Sequence, residues 1–297
     1  MSEIILPWFD KLDGRDYACV MWNLTRQCGF GCGYCPFHND NSRFTTREEV
    51  VNILLWLTKN VPSRNKARYA QITLFGGEPT KHPEFLNILP NLSNLGFDQI
   101  PVYTNFSAGL NLYFNALMTR EVMLIITYHE QHISPEKFIE KLSALMLGSF
   151  SARYVLDHVR VNVMTSDPRH LQVAEEARKR NFAVNLAEPH RHRPKDHKPN
   201  PTSTVVDTVG WNELVKTGNN CFTGWNCLAG KNNIYIEENG DLFPCQGLGQ
   251  AVYVGKKGMP PRLANIFENP DFKWVDVPET VCPLKSCRFE LFLTKYK

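Results

Sequence analysis

The chain lacks a long apolar run, an N-terminal targeting pattern and any large net charge, and each absence removes a class of function. No stretch of its 297 residues is apolar and charge-free enough to span a bilayer. The opening Met-Ser-Glu-Ile-Ile-Leu-Pro has neither the basic start nor the apolar core of a secretory signal. A cytoplasmic protein with reduced thiols is expected. Lys plus Arg number 33 against 30 Asp plus Glu, and a net charge of +3 gives no basis for a nucleic-acid partner. There is no internal repeat and no low-complexity tract. The nine cysteines are odd in number, which argues against a disulfide framework. One local basic run, from Pro189 to Lys198, reads as a solvated loop, with contact to an anionic substrate as the sharper alternative.

What is present is concentrated in Cys-Gly-Phe-Gly-Cys-Gly-Tyr-Cys, which carries Cys28, Cys32 and Cys35. Three thiolates on one tight loop suit a 4Fe–4S cluster, with three irons held by the chain and the fourth open to a second molecule. Gly29, Gly31 and Gly33 would let the backbone turn sharply and approach the sulfides. Zinc is the structural alternative, but it asks for four tetrahedral ligands, and His38 is the one histidine nearby.

Downstream, apolar periodicity alternates between strand and helix. Strands are expected at Tyr17 to Leu24, Gln71 to Phe75, Gln99 to Tyr103, Val122 to Tyr128, Val159 to Met164 and Ala183 to Ala187. Helices are expected after Thr46, from Pro83 to Leu95, Leu110 to Met118, Pro135 to Leu147 and Pro168 to Arg180. Such an order predicts an α/β fold of parallel βαβ units, whose right-handed crossovers bring all strand C-terminal ends to one rim. The cysteine loop, Gly76-Gly77-Glu78-Pro79, Thr104-Asn105 and Tyr128-His129-Glu130 all fall at those ends. After Glu188 the pattern stops. The expected division is residues 1–188 as the core, 189–220 as a linker that faces substrate, and 221–297 as a small cysteine-rich domain. In the last part Glu238-Asn239-Gly240 separates two strand-like runs as a hairpin turn would.

Together the loop, the Gly-Gly-Glu-Pro and the strand order resemble the radical S-adenosylmethionine (SAM) superfamily, in which an aromatic residue, here Tyr34, precedes the third cysteine. The resemblance covers residues from about 17 to 188. It implies a partial (β/α)6 barrel, a 4Fe–4S cluster on Cys28, Cys32 and Cys35, and SAM chelating the open iron. It further implies contacts to SAM from Gly76, Gly77 and Glu78 beside Pro79, and from Thr104, Asn105, Tyr128 and His129. Arg160 would pair the carboxylate of SAM or of a substrate, or else a buried acid. Reduced by a flavodoxin or ferredoxin, such a site yields a 5′-deoxyadenosyl radical that abstracts a substrate hydrogen atom.

Cys227-Leu-Ala-Gly, with twelve residues between Cys227 and Gly240 and four more before Cys245, resembles the opening of the SPASM and twitch domains. That likeness implies a second, auxiliary 4Fe–4S cluster on Cys227, Cys245, Cys282 and Cys287, in a short, twitch-like form; a zinc site is the structural alternative. Cys19 is expected in the core. Cys221 is either inert or a thiol that returns a hydrogen atom to a substrate radical, as in peptide epimerases of similar architecture. The leading expectation is modification of a peptide or amino-acid residue. The early first strand, without an N-terminal leader-binding domain, counts against it. A small-molecule dehydrogenase acting on an aminocyclitol or sugar comes second, and a nucleotide substrate third. A non-catalytic iron–sulfur electron carrier is the alternative of another class.

Overall fold

Alternating apolar residues set the strands, and the helices cover one face of them. A computed structural model describes residues 17–32, 35, 43–61, 69–148, 151–164, 170–187, 224, 226–227, 229–253, 255, 257, 259–277, 280–284 and 295–296. The order is β1 (Tyr17–Thr25), α1 (Arg47–Asn60), β2 (Tyr69–Gly76), α2 (Phe85–Asn94), β3 (Ile100–Thr104), α3 (Leu110–Leu117) and β4 (Val122–Tyr128). There follow α4 (Pro135–Met146), α5 (Ala152–His158), β5 (Val159–Met164), α6 (Leu171–Lys179) and β6 (Ala183–Ala187). Strands β1 to β6 pair in sequence order and in parallel, as the βαβ pattern requires. Val20, Trp22 and Leu24 of β1, Ile72 and Leu74 of β2, and Leu124 and Ile126 of β4 point to the helix layer, where Ile53, Trp56 and Leu57 of α1 meet them. Neighbours one residue along, such as Thr73, Tyr103, Asn105, Ile125 and Thr127, line the opposite, inner face. Helix α1 opens on the expected capping box, with Thr46 and Glu49 each accepting from the other's backbone N–H. Helix α5 was not expected; it buries only Val155, too little for a periodic signal.

The C-terminal region adds β7 (Asn226–Cys227), β8 (Asn233–Ile236), β9 (Asp241–Phe243), helix α7 (Gln246–Tyr253), β10 (Ala264–Asn265), β11 (Thr280–Val281) and β12 (Lys295–Tyr296). The expected hairpin forms as β8–β9, turning at Gly240 with φ of 82°. Rather than standing apart, it extends the main sheet. Strand β8 pairs in parallel with β1, Cys19 against Asn233 through Trp22 against Ile236, and the nine strands run β10-β9-β8-β1-β2-β3-β4-β5-β6. Covering the β1 edge satisfies a row of backbone groups that an open edge would expose. Residues β11-β7-β12 form a separate three-stranded sheet. The linker expected at 189–220, and with it the boundary at 188, lies outside the described residues. Among the described residues no helix is long and apolar enough to cross a membrane.

Helix α7 lies so close to β8 that a Cβ on Gly249 would fall 2.4 Å from the Tyr235 ring. Gly249→Val should therefore destabilise the fold by about 1–3 kcal/mol through overpacking, read as a lower midpoint in thermal or denaturant unfolding.

Candidate active site

The cysteine loop leaves β1 and is fixed at its stem before the first thiol. Gly77 N–H donates to Thr25 O at 2.6 Å and Glu78 N–H to Gln27 O at 2.8 Å. A Cβ on Gly77 would sit 2.3 Å from Gln27 O, and one on Gly76, where φ is 138°, would sit 2.1 Å from Thr25 O. Both glycines are thus demanded by the backbone of residues 25–27. Their expected contact to SAM has to coexist with this stem-locking role.

Glu78 is fully buried, and its carboxylate is held by the ends of β2 and β3. Oε1 accepts from Thr80 N–H at 3.1 Å, the Thr80 hydroxyl at 2.5 Å and the Thr104 hydroxyl at 2.8 Å; Oε2 accepts from Asn105 N–H at 2.6 Å. Burial pushes its carboxyl pKa up, against the pull of these donors. The side chain caps the 3₁₀ turn at Pro79–Lys81 and fastens the end of β2 to the end of β3. It organises the rim that an incoming ligand would meet.

Around the thiols, residues from three strand ends converge. Cys28 Sγ accepts from Phe30 N–H at 3.3 Å and faces Asn105 Nδ2 at 3.5 Å. Burial raises the Cys28 pKa, and the nearby Glu78 charge adds to it. Cys32, 3% exposed, lies 3.4 Å from His129 Nδ1. Burial, then the neighbouring His132, pulls the His129 pKa down to about 4, so this imidazole is neutral at pH 7. Phe30 stacks on His132 with centroids 4.2 Å apart and meets His129 edge-on at 5.6 Å. Lys81 Nζ lies 4.0 Å from where a Cβ on Gly29 would be. Phe30, His132 and Lys81 carried no sequence signal of their own; they became visible only once the strand ends met.

Two expected contacts fall elsewhere. The Tyr128 ring packs against Phe138 of α4, in the helix layer rather than on the inner face. Burial lifts its pKa to about 12, so the hydroxyl stays protonated; it lies 3.0 Å from His170 Nδ1, while His170 Nε2 lies 3.3 Å from Glu130 Oε2. Arg160 is the second residue of β5, roughly 13 Å short of the rim at about 3.3 Å per residue. Its Nη1 turns back to donate to Leu156 O at 3.2 Å. On the same inner face Asn162 lies one alternation nearer the rim, level with Thr127 and Asn185, and no motif in the sequence marks it. Tyr34, Cys221 and Cys287 lie outside the described residues.

In the C-terminal region Cys227, Cys245 and Cys282 are all buried. Thr280 pairs with Cys227 across β11 and β7, and Gly224 N–H donates to Cys282 O at 2.8 Å. Gly230, with φ of 85°, donates its N–H to Pro244 O at 3.0 Å beside Cys245. The segments bearing these cysteines are neighbours. Among the described residues, however, no three Cys, His, Asp or Glu side chains close on one point as a metal site, at either cysteine set. Thiolate sites commonly close only when the metal binds.

The first set nonetheless fits an iron–sulfur cluster. A Cβ on Gly31 would meet nothing within 4 Å, and neither Gly29 nor Gly31 adopts a positive φ. The chain's own packing does not ask for glycine there, whereas close approach of a cluster's sulfides does. Sulfur-directed N–H groups, as at Cys28, are the usual second layer of such sites.

No protein-family model matches the chain. A GTP 3′,8-cyclase from Haemophilus influenzae (strain 86-028NP) is 31% identical over 98 residues, covering 31% of this chain and 27% of that protein. Among solved structures, SuiB of Streptococcus suis bound to S-adenosylmethionine superposes with a TM-score of 0.54 at 13% identity, over 85% of this chain and 64% of SuiB. SuiB bound to its precursor peptide SuiA gives 0.54 at 12% identity, over 89% and 66%. Native anSMEcpe with bound AdoMet gives 0.54 at 14%, over 88% and 80%. The chain therefore spans about a quarter of the cyclase and just under two thirds of SAM-bound SuiB. Its α/β fold, with a mostly parallel central sheet, is shared with SAM-bound SuiB and with anSMEcpe bound to AdoMet.

Gly77→Ala should push residues 26–27 away and misplace Cys28. We expect a folded protein by circular dichroism whose iron uptake after reconstitution falls several-fold; unchanged uptake would show that the stem does not set the loop.

Proposed function

We propose that the chain is a radical SAM enzyme, with Cys28, Cys32 and Cys35 holding a 4Fe–4S cluster. The observation that carries this reading is the meeting of the thiol loop with Asn105, His129 and the Gly76-Gly77-Glu78 turn at one rim. Held by Cys28, Cys32 and Cys35, the cluster would supply one-electron reductive cleavage of bound SAM and so the means to abstract a substrate hydrogen atom. The protein's part is placement. Asn105 directs an N–H at the Cys28 sulfur, neutral His129 lies against Cys32 without adding charge, and Phe30 covers the loop against His132. Cys227, Cys245, Cys282 and Cys287 are proposed to bind an auxiliary cluster that accepts or relays electrons.

For the substrate we favour a peptide, a reading supported by the shared fold with SuiB, which has been solved on its precursor peptide. Cys221 would then serve as hydrogen-atom donor in an epimerisation. A nucleotide is the second reading, favoured by the local identity to a protein named for a GTP cyclisation.

Reduced, reconstituted protein should release 5′-deoxyadenosine from SAM, and Cys28→Ala, Cys32→Ala and Cys35→Ala should each abolish release. Absence of 5′-deoxyadenosine with candidate peptides and nucleotides supplied would sink the enzyme reading. Iron analysis should give roughly eight irons per chain, falling to about four when Cys227 and Cys245 are both replaced by alanine. A wild-type value near four would remove the auxiliary cluster.

A further inference from the structure

We propose that Arg26 is the positioning residue of the cysteine loop, held in place by the C-terminal hairpin through Glu237 and Glu238 and by helix α7 through Tyr253. The proposal rests on the reading that this loop carries the SAM-binding cluster. Arg26 lies two residues before Cys28. Its backbone N–H donates to Glu238 Oε2 at 2.7 Å, and its guanidinium reaches Glu237 Oε2 at 3.2 Å and Glu238 Oε1 at 3.9 Å. The Tyr253 ring lies beneath, its centroid 3.7 Å from the guanidinium carbon. The side chains are 16%, 3% and 9% exposed for Arg26, Glu237 and Glu238.

Both ends of the clamp are themselves anchored. Glu237 accepts from Tyr235 Oη at 2.7 Å and from Asn23 Nδ2 at 2.7 Å. Asn23 Oδ1 in turn would lie 2.2 Å from a Cβ on Gly76, so the same network fills the space beneath the Gly76-Gly77 turn. Tyr253 ends helix α7, which begins at Gln246 directly after Cys245 and is pressed onto β8 at Gly249. One contiguous chain of contacts therefore runs from Cys245 through α7 and Arg26 to Cys28. Removing one partner of so buried an ion pair leaves an uncompensated charge, which costs far more than an exposed pair would. The pair also sets the charge close to the first cluster ligand, a lever on cluster potential.

Glu237→Gln and Arg26→Gln test this in the full-length protein. Without a cluster, hydrogen exchange at the Gly77 and Glu78 amides, which bond Thr25 O and Gln27 O, should be at least roughly tenfold faster in both variants, with β4 unchanged. In reconstituted protein, the midpoint potential of the cluster whose paramagnetic signal responds to SAM should rise in Glu237→Gln, which loses a negative charge, and fall in Arg26→Gln, which loses a positive one. Mere loosening would move both the same way. Unchanged exchange at Gly77 and Glu78, or potentials moving together, overturns the proposal. Should Glu237→Gln speed exchange in β4 as well, Tyr253→Leu decides: wild-type exchange at Gly77 and Glu78 overturns it, faster exchange there alone upholds it. A wild-type chain that binds no cluster contradicts the enzyme reading, and the exchange measurement still judges the clamp.

Discussion

Two backbone hydrogen bonds, Gly77 to Thr25 and Glu78 to Gln27, govern the geometry of this protein's rim. They join the end of β2 to the chain leaving β1, at a separation only glycine tolerates on the β2 side. Every later contact inherits that placement. Cys28 can face Asn105, and Cys32 can face His129, because the loop starts from a stem that cannot drift. The buried Glu78 then locks β3 to β2, so the amide that approaches the Cys28 sulfur is fixed from behind.

The same stem is gripped from its other side by residues more than two hundred positions away. By pairing β8 with β1, the hairpin brings Glu237 and Glu238 beside Arg26. The C-terminal hairpin shares the main sheet. This gives a physical route by which changes around Cys245 could be felt at Cys28, through packed helix and ion pair rather than through an open linker.

Much of this architecture was legible in the sequence. The continuous apolar run Val122–Tyr128, the apolar alternation in Val159–Met164 and the capping box at Thr46 leave little choice of element. Gly76-Gly77 was readable as a turn after a strand, and the structure sets both glycines against the backbone of residues 25–27. What escaped depends on tertiary arrangement. Periodicity cannot say that β8 adds to β1, because a fully buried four-residue strand fits many partners. Nor does it say which face an individual rim residue presents: Tyr128 turns to the helices and Arg160 sits too low, while Asn162, on the inner face, carries no sequence motif. Short helix α5 buries a single residue and has no periodic signature.

Cys28, Cys32 and Cys35 are proposed to hold a cluster with one iron left for SAM. The most direct measurement is electron–nuclear double resonance on the reduced, reconstituted protein with SAM isotopically labelled at its amino nitrogen and carboxylate oxygen. Hyperfine coupling from both labels to the cluster, lost in Cys28→Ala, is the predicted result. A reduced cluster that shows no coupling to either label would contradict the account.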